Sequence, residues 1–390
     1  MAKKKTKKVG LFINGKFDYM LVIITLLLLG IGLIILLSAS APTSLSETDG
    51  ENSYKYVFKQ GIMAILGLVI MIALSRIDYR IYRRLKWPIY IGFIGLLVAV
   101  GFVGSGAGGA RRWINIVVFS FQPSEFAKVG FIIFYASMLS DMKEKSKIKK
   151  LVPGFLYPLI WLLPIVGAIF ILQNHFSATF IIAAITLVQM FVAGSSLKYF
   201  FGSGALAAIG GLAIILKTSS GAVEGGGFRI SRIQTWLDLE SADPVGEAWQ
   251  ILNSLYAIGS GGLFGFGLGN SKQKYLYLPE PQNDFIFAVL AEELGFFGCV
   301  SVIILFMLFV WRGIVISIKA EDNFGTLIGI GVTTMIGLQA LINIAVVTNT
   351  IPVTGMPLPF FSYGGSAMLA DLAAVGILLS VSRNSKTNNS

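Results

Sequence analysis

Runs of about 20 mostly apolar residues recur along the whole 390-residue chain, each long enough to cross a hydrocarbon core about 30 Å thick at 1.5 Å per residue. Ten are read, at roughly 17–38, 58–75, 88–104, 124–140, 154–172, 177–194, 199–217, 284–311, 325–346 and 362–382. The expected fold is therefore an all-α polytopic membrane protein of about ten transmembrane helices. Composition agrees: hydrophobic residues make up 55% of the chain and charged residues 13%, about half the charged share of a soluble chain.

Lysine and arginine cluster between alternate runs. With both termini cytoplasmic, 21 of the 31 basic residues fall in inner segments, chiefly 1–16, 76–87 and 141–152, whereas only 6 of the 20 acidic residues lie inside or at the inner interface. That is the positive-inside bias. The net charge of +11 brackets helices rather than striping a folded domain, so anionic lipid explains it and nucleic acid is not expected as a partner. Met1 to Lys8 precede a full-length apolar run without a cleavage site and read as a retained signal anchor. Cys299 is the single cysteine, which excludes a disulfide framework and a cysteine-based metal site.

Three parts follow: a basic cytoplasmic N-terminus at 1–16, a transmembrane domain at 17–382 and a cytoplasmic tail at 383–390. Two extracytoplasmic stretches are large, 105–123 and about 218–283. The second opens on Gly221, Gly225, Gly226 and Gly227, then alternates aromatic and apolar residues with charge (Phe228, Arg229, Arg232, Trp236, Trp249, Tyr256). Long loops in compact domains are functional or disordered, and this alternation favours order with short interfacial helices.

Asp284, Glu292 and Glu293 lie at and just inside the mouth of the eighth run. Carrying a charge towards the bilayer centre costs roughly 2.5–3.5 kcal/mol, so such groups usually line a pathway or a site. Four ordered blocks carry a resemblance. They are Gly109-Ala110-Arg111-Arg112-Trp113-Ile114 with Gln122-Pro123-Ser124-Glu125-Phe126-Ala127-Lys128; Gly259 to Gly265; Leu278-Pro279-Glu280 with Asp284 to Val289 and Glu292 to Gly295; and Leu358 to Ser366. On these residues the chain resembles the SEDS family of shape, elongation, division and sporulation polymerases, in its FtsW-like rather than RodA-like branch. The resemblance spans all ten runs. It implies a peptidoglycan glycosyltransferase that polymerises lipid II at the outer membrane face, working with a class B penicillin-binding transpeptidase and other division or elongation membrane proteins.

Such a transfer needs a base for the acceptor hydroxyl and cations for the departing pyrophosphate. Asp284, where the resemblance puts the family's essential aspartate, is the expected catalytic base. Asn283 suits an N-cap, which would put Asp284 in the first helical turn, where the macrodipole favours its ionised form; a capping role alone would also account for it. Arg112, Lys128 and Arg111 are the expected pyrophosphate contacts, because guanidinium forks grip phosphate oxygens. An i,i+3 pair with Glu125 is the competing account of Lys128. Gln122, Lys274, Gln250 and Ser362 are further substrate-binding candidates, with Glu125, Glu280 and Glu292 in support. Glu292 would sit about 12 Å deeper than Asp284 along the helix, paired or lining an inner polar cavity.

The glycines from Gly259 to Gly269 lack the strand and the Gly-Lys-Ser/Thr of a phosphate loop and read as flexible backbone at a lipid-facing groove. His175, the single histidine, reads as a loop polar group, and Asp371 stands where the family more often has asparagine. No spacing indicates a metal cage; one magnesium ion bridging Asp284 to pyrophosphate is compatible with the chemistry of hard cations. A lipid-precursor transporter and a bare scaffold are the competing functions, although paired broken helices in two related halves, the mark of many transporters, are not seen. Division, elongation and sporulation roles are all left open.

Overall fold

The computed structural model describes residues 11–13, 15–106, 111–115, 120–200, 202, 232, 235–239, 246, 248–275 and 277–385. Most of the seventh run, the glycine cluster at 221–227, Phe228, Arg229, Gly109, Ala110 and both extreme ends lie outside the described residues. In order the elements are α1 (Tyr19–Glu47), α2 (Lys55–Arg76), a short α3 (Arg80–Arg84) and α4 (Lys86–Val103). A two-residue hairpin follows, β1 (Ile114–Asn115) against β2 (Ser120–Phe121), and leads into α5 (Pro123–Glu144). Then come α6 (Val152–Leu172), α7 (Phe176–Ala193), α8 (Trp249–Ser260), α9 (Ile286–Ile318), α10 (Asn323–Val347) and α11 (Gly365–Arg383). Among the described residues eight helices are long and apolar enough to span a membrane; α5, the most polar of the long helices, makes up the fourth predicted span.

Local chemistry sets the helix ends. Asp18 caps α1 by accepting from Leu21 N at 3.0 Å, and Asp322 caps α10 by accepting from Gly325 N at 2.7 Å, each worth about 1 kcal/mol. Pro123 opens α5 at a position where a missing N–H costs nothing. Pro153, Pro158 and Pro164 remove backbone donors from α6, and wide π-helical turns stand at both of its ends.

The layering is radial. In α5, 18 of 22 residues are buried, against three of 18 in α4, so α5 is central and α4 peripheral. Helix α11 is equally enclosed and lies along α2, where a Cβ on Gly376 would meet Met71 O at 2.6 Å. A Cβ on Gly313 would meet Thr333 Oγ1 at 2.2 Å, which sets the approach of α9 to α10. Small residues allow such close packing where lipid removes the hydrophobic drive between helices. Outward-facing apolar residues such as Ile65, Val103 and Leu163 are exposed, as a lipid-facing rim requires.

Both described chain ends meet at one end of the bundle. Phe12 bridges to Ile77, Ala320 bridges to Ser385, and Arg383 donates to Gly15 O at 2.6 Å. Arg80 pairs there with Glu321 at 2.5 Å and Arg83 with Asp141 at 2.5 Å, all of them part-exposed.

Three sequence expectations are corrected around the first turns of α9. The helix begins at Ile286, so Asp284 lies in the preceding turn rather than in its first turn, and Asn283 does not cap it. Nor is α9 continuous: Gly295 takes φ 65°, ψ −164° and interrupts it. The Gly261–Gly267 backbone, expected to be flexible, is instead hydrogen-bonded into that break. Phe266 N and Gly267 N donate to Glu292 O and Glu293 O at 3.0 Å each, while Phe296 N donates to Gly262 O at 2.9 Å. Backbone groups freed inside a membrane need such partners. The contact also needs glycine on both sides, since a Cβ on Gly265 would lie 2.2 Å from Glu293 O and one on Gly295 would lie 2.3 Å from Gly265 N.

Candidate active site

A cavity of about 830 Å³ opens at the end of the bundle opposite the chain ends, with Asp284, Glu125, Gln122, His175, Arg112 and Lys59 in its wall. Backbone contacts hold Asp284 there. Asn343 on α10 donates its amide both to Asp284 O at 2.8 Å and to Met356 O at 2.6 Å. Ser362 donates to Asn283 O at 2.5 Å and accepts from Leu358 N at 2.8 Å, and Tyr363 N donates to Gln282 O at 2.8 Å. Gln60 on α2 in turn holds the 362–364 segment, donating to Ser362 O and accepting from Gly364 N, both at 3.2 Å. At Gly355, φ +64°, a Cβ would stand 3.4 Å from Asp284 Oδ2, so the glycine leaves the carboxylate room in the cavity.

The electrostatics differ from those of a helix cap. Burial pushes the Asp284 carboxyl up from its usual value to about 6; neighbouring Glu280 pushes the same way, and Arg232 and Arg112 offset part of it. Asp284 is thus tuned towards the range of a working base, where the sequence alone suggested a weak one. Burial, with the charges of Arg112 and Lys128, pushes His175 down to about 3, so its ring is neutral at neutral pH. His175 Nδ1 is buried with no hydrogen-bond partner and stands in the cavity wall.

Of the expected substrate contacts, Arg112, Gln122 and Asp284 come together with Glu125. Arg112 donates to Gln173 O at 3.0 Å and to Asn174 O at 2.5 Å, which fixes its guanidinium against the start of α7. The other cations do not reach the wall. Lys128 is 1% exposed and pairs with Glu125 at 2.8 Å, as its i,i+3 spacing allows. Lys274 is 3% exposed and donates to Glu293 at 2.9 Å, Ser38 Oγ at 2.8 Å and Gly269 O at 2.6 Å. Arg111 donates to Phe102 O at 2.8 Å on an exposed surface, Gln250 sits in α8 away from the cavity lining, and Ser362 braces the Asp284 turn from behind.

Glu292 and Glu293 form a separate structural network. Glu292 accepts from Ser271 Oγ at 2.5 Å and Lys272 N at 2.9 Å, and both carboxylates are buried. Glu280 accepts from Asn283 Nδ2 at 2.7 Å, within the turn that carries Asp284. Sequence reasoning missed Lys59, Gln60, Asn343 and Gly355; the two amides in otherwise apolar helices were the available signal. Among the described residues no group of three His, Cys, Asp or Glu is arranged to hold a metal.

A family model described as "Cell cycle protein", covering FtsW, RodA and SpoVE, matches residues 19–387. The chain belongs to the FtsW/RodA/SpoVE family. Stage V sporulation protein E of Bacillus subtilis is 42% identical over 372 residues, covering 95% of this chain and 98% of that protein. A probable peptidoglycan glycosyltransferase FtsW from a Geobacter species is 36% identical over 368 residues, 94% and 96% of the two chains. Among solved structures, the rod shape determining protein RodA of Thermus thermophilus matches with a TM-score of 0.68 at 26% identity, covering 95% of this chain and 98% of that one. A chain of a peptidoglycan synthase complex that coordinates polymerization and crosslinking matches with a TM-score of 0.75 at 26% identity, 94% and 98% of the chains. This family member is thus a multi-pass membrane protein with a RodA-like fold.

Proposed function

We propose that this chain is a peptidoglycan glycosyltransferase that polymerises lipid II, with Asp284 as its general base. The observation that carries the residue assignment is the carboxylate of Asp284, held in a polar cavity by its own backbone and raised to about 6 by burial. The acceptor sugar hydroxyl gives its proton to Asp284 as its oxygen bonds to the donor's anomeric carbon. The bond from that carbon to the pyrophosphate oxygen breaks, and the lipid pyrophosphate leaves with the electron pair. Arg112 and Lys59, the cations of the cavity wall among the described residues, are the groups that would take up the growing phosphate charge. Asp284 then returns its proton to water.

Glu125, held by Lys128, and neutral His175 would orient sugar hydroxyls. A magnesium ion would find Asp284 here, with substrate phosphates to complete its shell. The cavity faces away from the end where Arg76, Arg80, Arg83 and Lys86 gather, which supports an extracytoplasmic site under the positive-inside rule. A class B penicillin-binding transpeptidase is the proposed partner. Likeness to stage V sporulation protein E and to FtsW supports a septal role, in division or sporulation, over elongation.

The test is purified protein with lipid II. Glycan strands from wild type and none from Asp284→Ala are expected. Lipid carried across vesicles with no polymer formed would mean a transporter, and polymer from Asp284→Ala at the wild-type rate would remove Asp284 from the chemistry.

A further inference from the structure

We propose that His175, beyond orienting hydroxyls, selects the donor sugar by a hydrogen bond from its ring to the acetamido group beside the anomeric carbon; this rests on the lipid II reaction proposed above. His175 lines the same cavity as Asp284. The residue is 7% exposed, and its Nδ1 is buried with no hydrogen-bond partner among the described residues. Buried polar atoms are paired with few exceptions, and an exception in a cavity wall marks a place for a ligand atom.

The backbone that carries the ring is tied down. His175 N donates to Ile169 O at 3.1 Å, and His175 O accepts from Thr179 Oγ1 at 3.0 Å. Just before it the chain turns through Asn174 at φ 48°, and the Gln173 amide donates to Leu97 O at 3.1 Å. Ser177 donates to Thr354 O, which braces the start of α7 to the segment whose Gly355 stands beside the Asp284 carboxylate. The ring is therefore held at a set place relative to the base.

Its neighbours say which sugar it meets. Arg112 donates to Gln173 O and Asn174 O, the two carbonyls immediately before His175, so the ring stands beside the guanidinium set against the departing phosphate. The sugar that bears this phosphate is the donor, and in lipid II the carbon next to its anomeric centre carries an acetamido group. That group offers one N–H and one C=O, and a neutral imidazole offers one donor and one acceptor nitrogen, so the two match in either tautomer. The ring is neutral at neutral pH because burial and the charges of Arg112 and Lys128 hold its proton affinity down. A neutral ring suits an uncharged amide and leaves the phosphate to the cations.

The test is equilibrium binding to the full-length protein in detergent of lipid II whose acceptor hydroxyl is capped as a methyl ether, so that it cannot be extended. It is compared with the same lipid carrying hydrogen in place of the acetamido group on the phosphate-bearing sugar. Loss of that group and His175→Leu should each weaken binding about tenfold, and the two together no more than either alone. His175→Asn, whose amide reaches where Nδ1 stands, should restore wild-type affinity. His175→Leu should keep the wild-type melting temperature, because Nδ1 has no bond in the fold to lose. Additive losses, while the wild type still polymerises uncapped lipid II, would overturn the donor-sugar assignment and leave the reaction standing; no polymer from the wild type would overturn the reaction itself. A lower melting temperature for His175→Leu with unchanged binding would make His175 structural and overturn the proposal.

Discussion

Asp284 just precedes α9 and Glu293 lies in its first turns, yet their surroundings are opposite. Glu293 is 0% exposed and meets Lys274, Ser38 Oγ and Ser271 N. Asp284 faces a cavity, has its backbone rather than its carboxylate tied down, and feels the cations Arg112 and Arg232 only from a distance. The fold locks one carboxylate to a lysine and leaves the other at a cavity wall without an ion pair among the described residues. A buried carboxylate paired with a lysine is structural; one without an ion pair in a polar cavity is available for proton transfer.

Substitution separates the two. Asp284→Asn keeps the shape and removes the base, so polymer formation from lipid II should fall by about 10²–10⁴-fold with no loss in melting temperature. A matching loss of stability would place Asp284 with Glu293 instead. Lys274→Met should do the reverse: leaving Glu293 buried and unpaired costs roughly 3–5 kcal/mol, read as a lower melting temperature in detergent, with activity per folded molecule retained. Gly295→Ala puts a side chain at φ 65° and against Gly265 N at 2.3 Å. It should cost at least about 1–3 kcal/mol, seen as faster proteolysis of the docked 261–275 segment.

A pH profile sharpens the contrast further. Because Asp284 is raised to about 6, the wild-type rate should climb about tenfold per pH unit below 6 and level off above it. The sign for stability is opposite. A carboxyl whose folded value exceeds its unfolded one favours the fold when protonated, so this contribution fades as pH rises from about 4 through 6, and Asp284→Asn should abolish that slope. The smallest effect belongs to the far end of the bundle. Arg83, one-third exposed in its pair with Asp141, should change stability by about 0–1 kcal/mol on replacement by Ala.

Much of this was readable in the residues. Apolar run length is imposed by bilayer thickness, so nine of the ten expected spans correspond to helices among the described residues, with ends shifted by a few positions. Asp284 stood out because a carboxylate at such a place needs a reason. The assignment of cations was readable only in part: spacing offered Glu125 as a partner for Lys128, but nothing local pairs Lys274 with Glu293. Side-chain partners separate them, since Lys128 and Lys274 are consumed by Glu125 and Glu293 while Arg112 reaches the cavity wall. Gly265 and Gly295 likewise gave no hint that they were two halves of one contact.

The chain order of residues was enough to establish a helical membrane protein, the positive bias of its alternate segments and an aspartate at a place that needs a reason, because each follows from local spacing and the cost of charge in lipid. The pairing of Lys274 with Glu293, the docking that accommodates the break in the ninth helix, and why Asp284 holds its proton up to about pH 6 arise from groups far apart in sequence. Burial and pairing are properties of the packed bundle, and no stretch of sequence carries them alone.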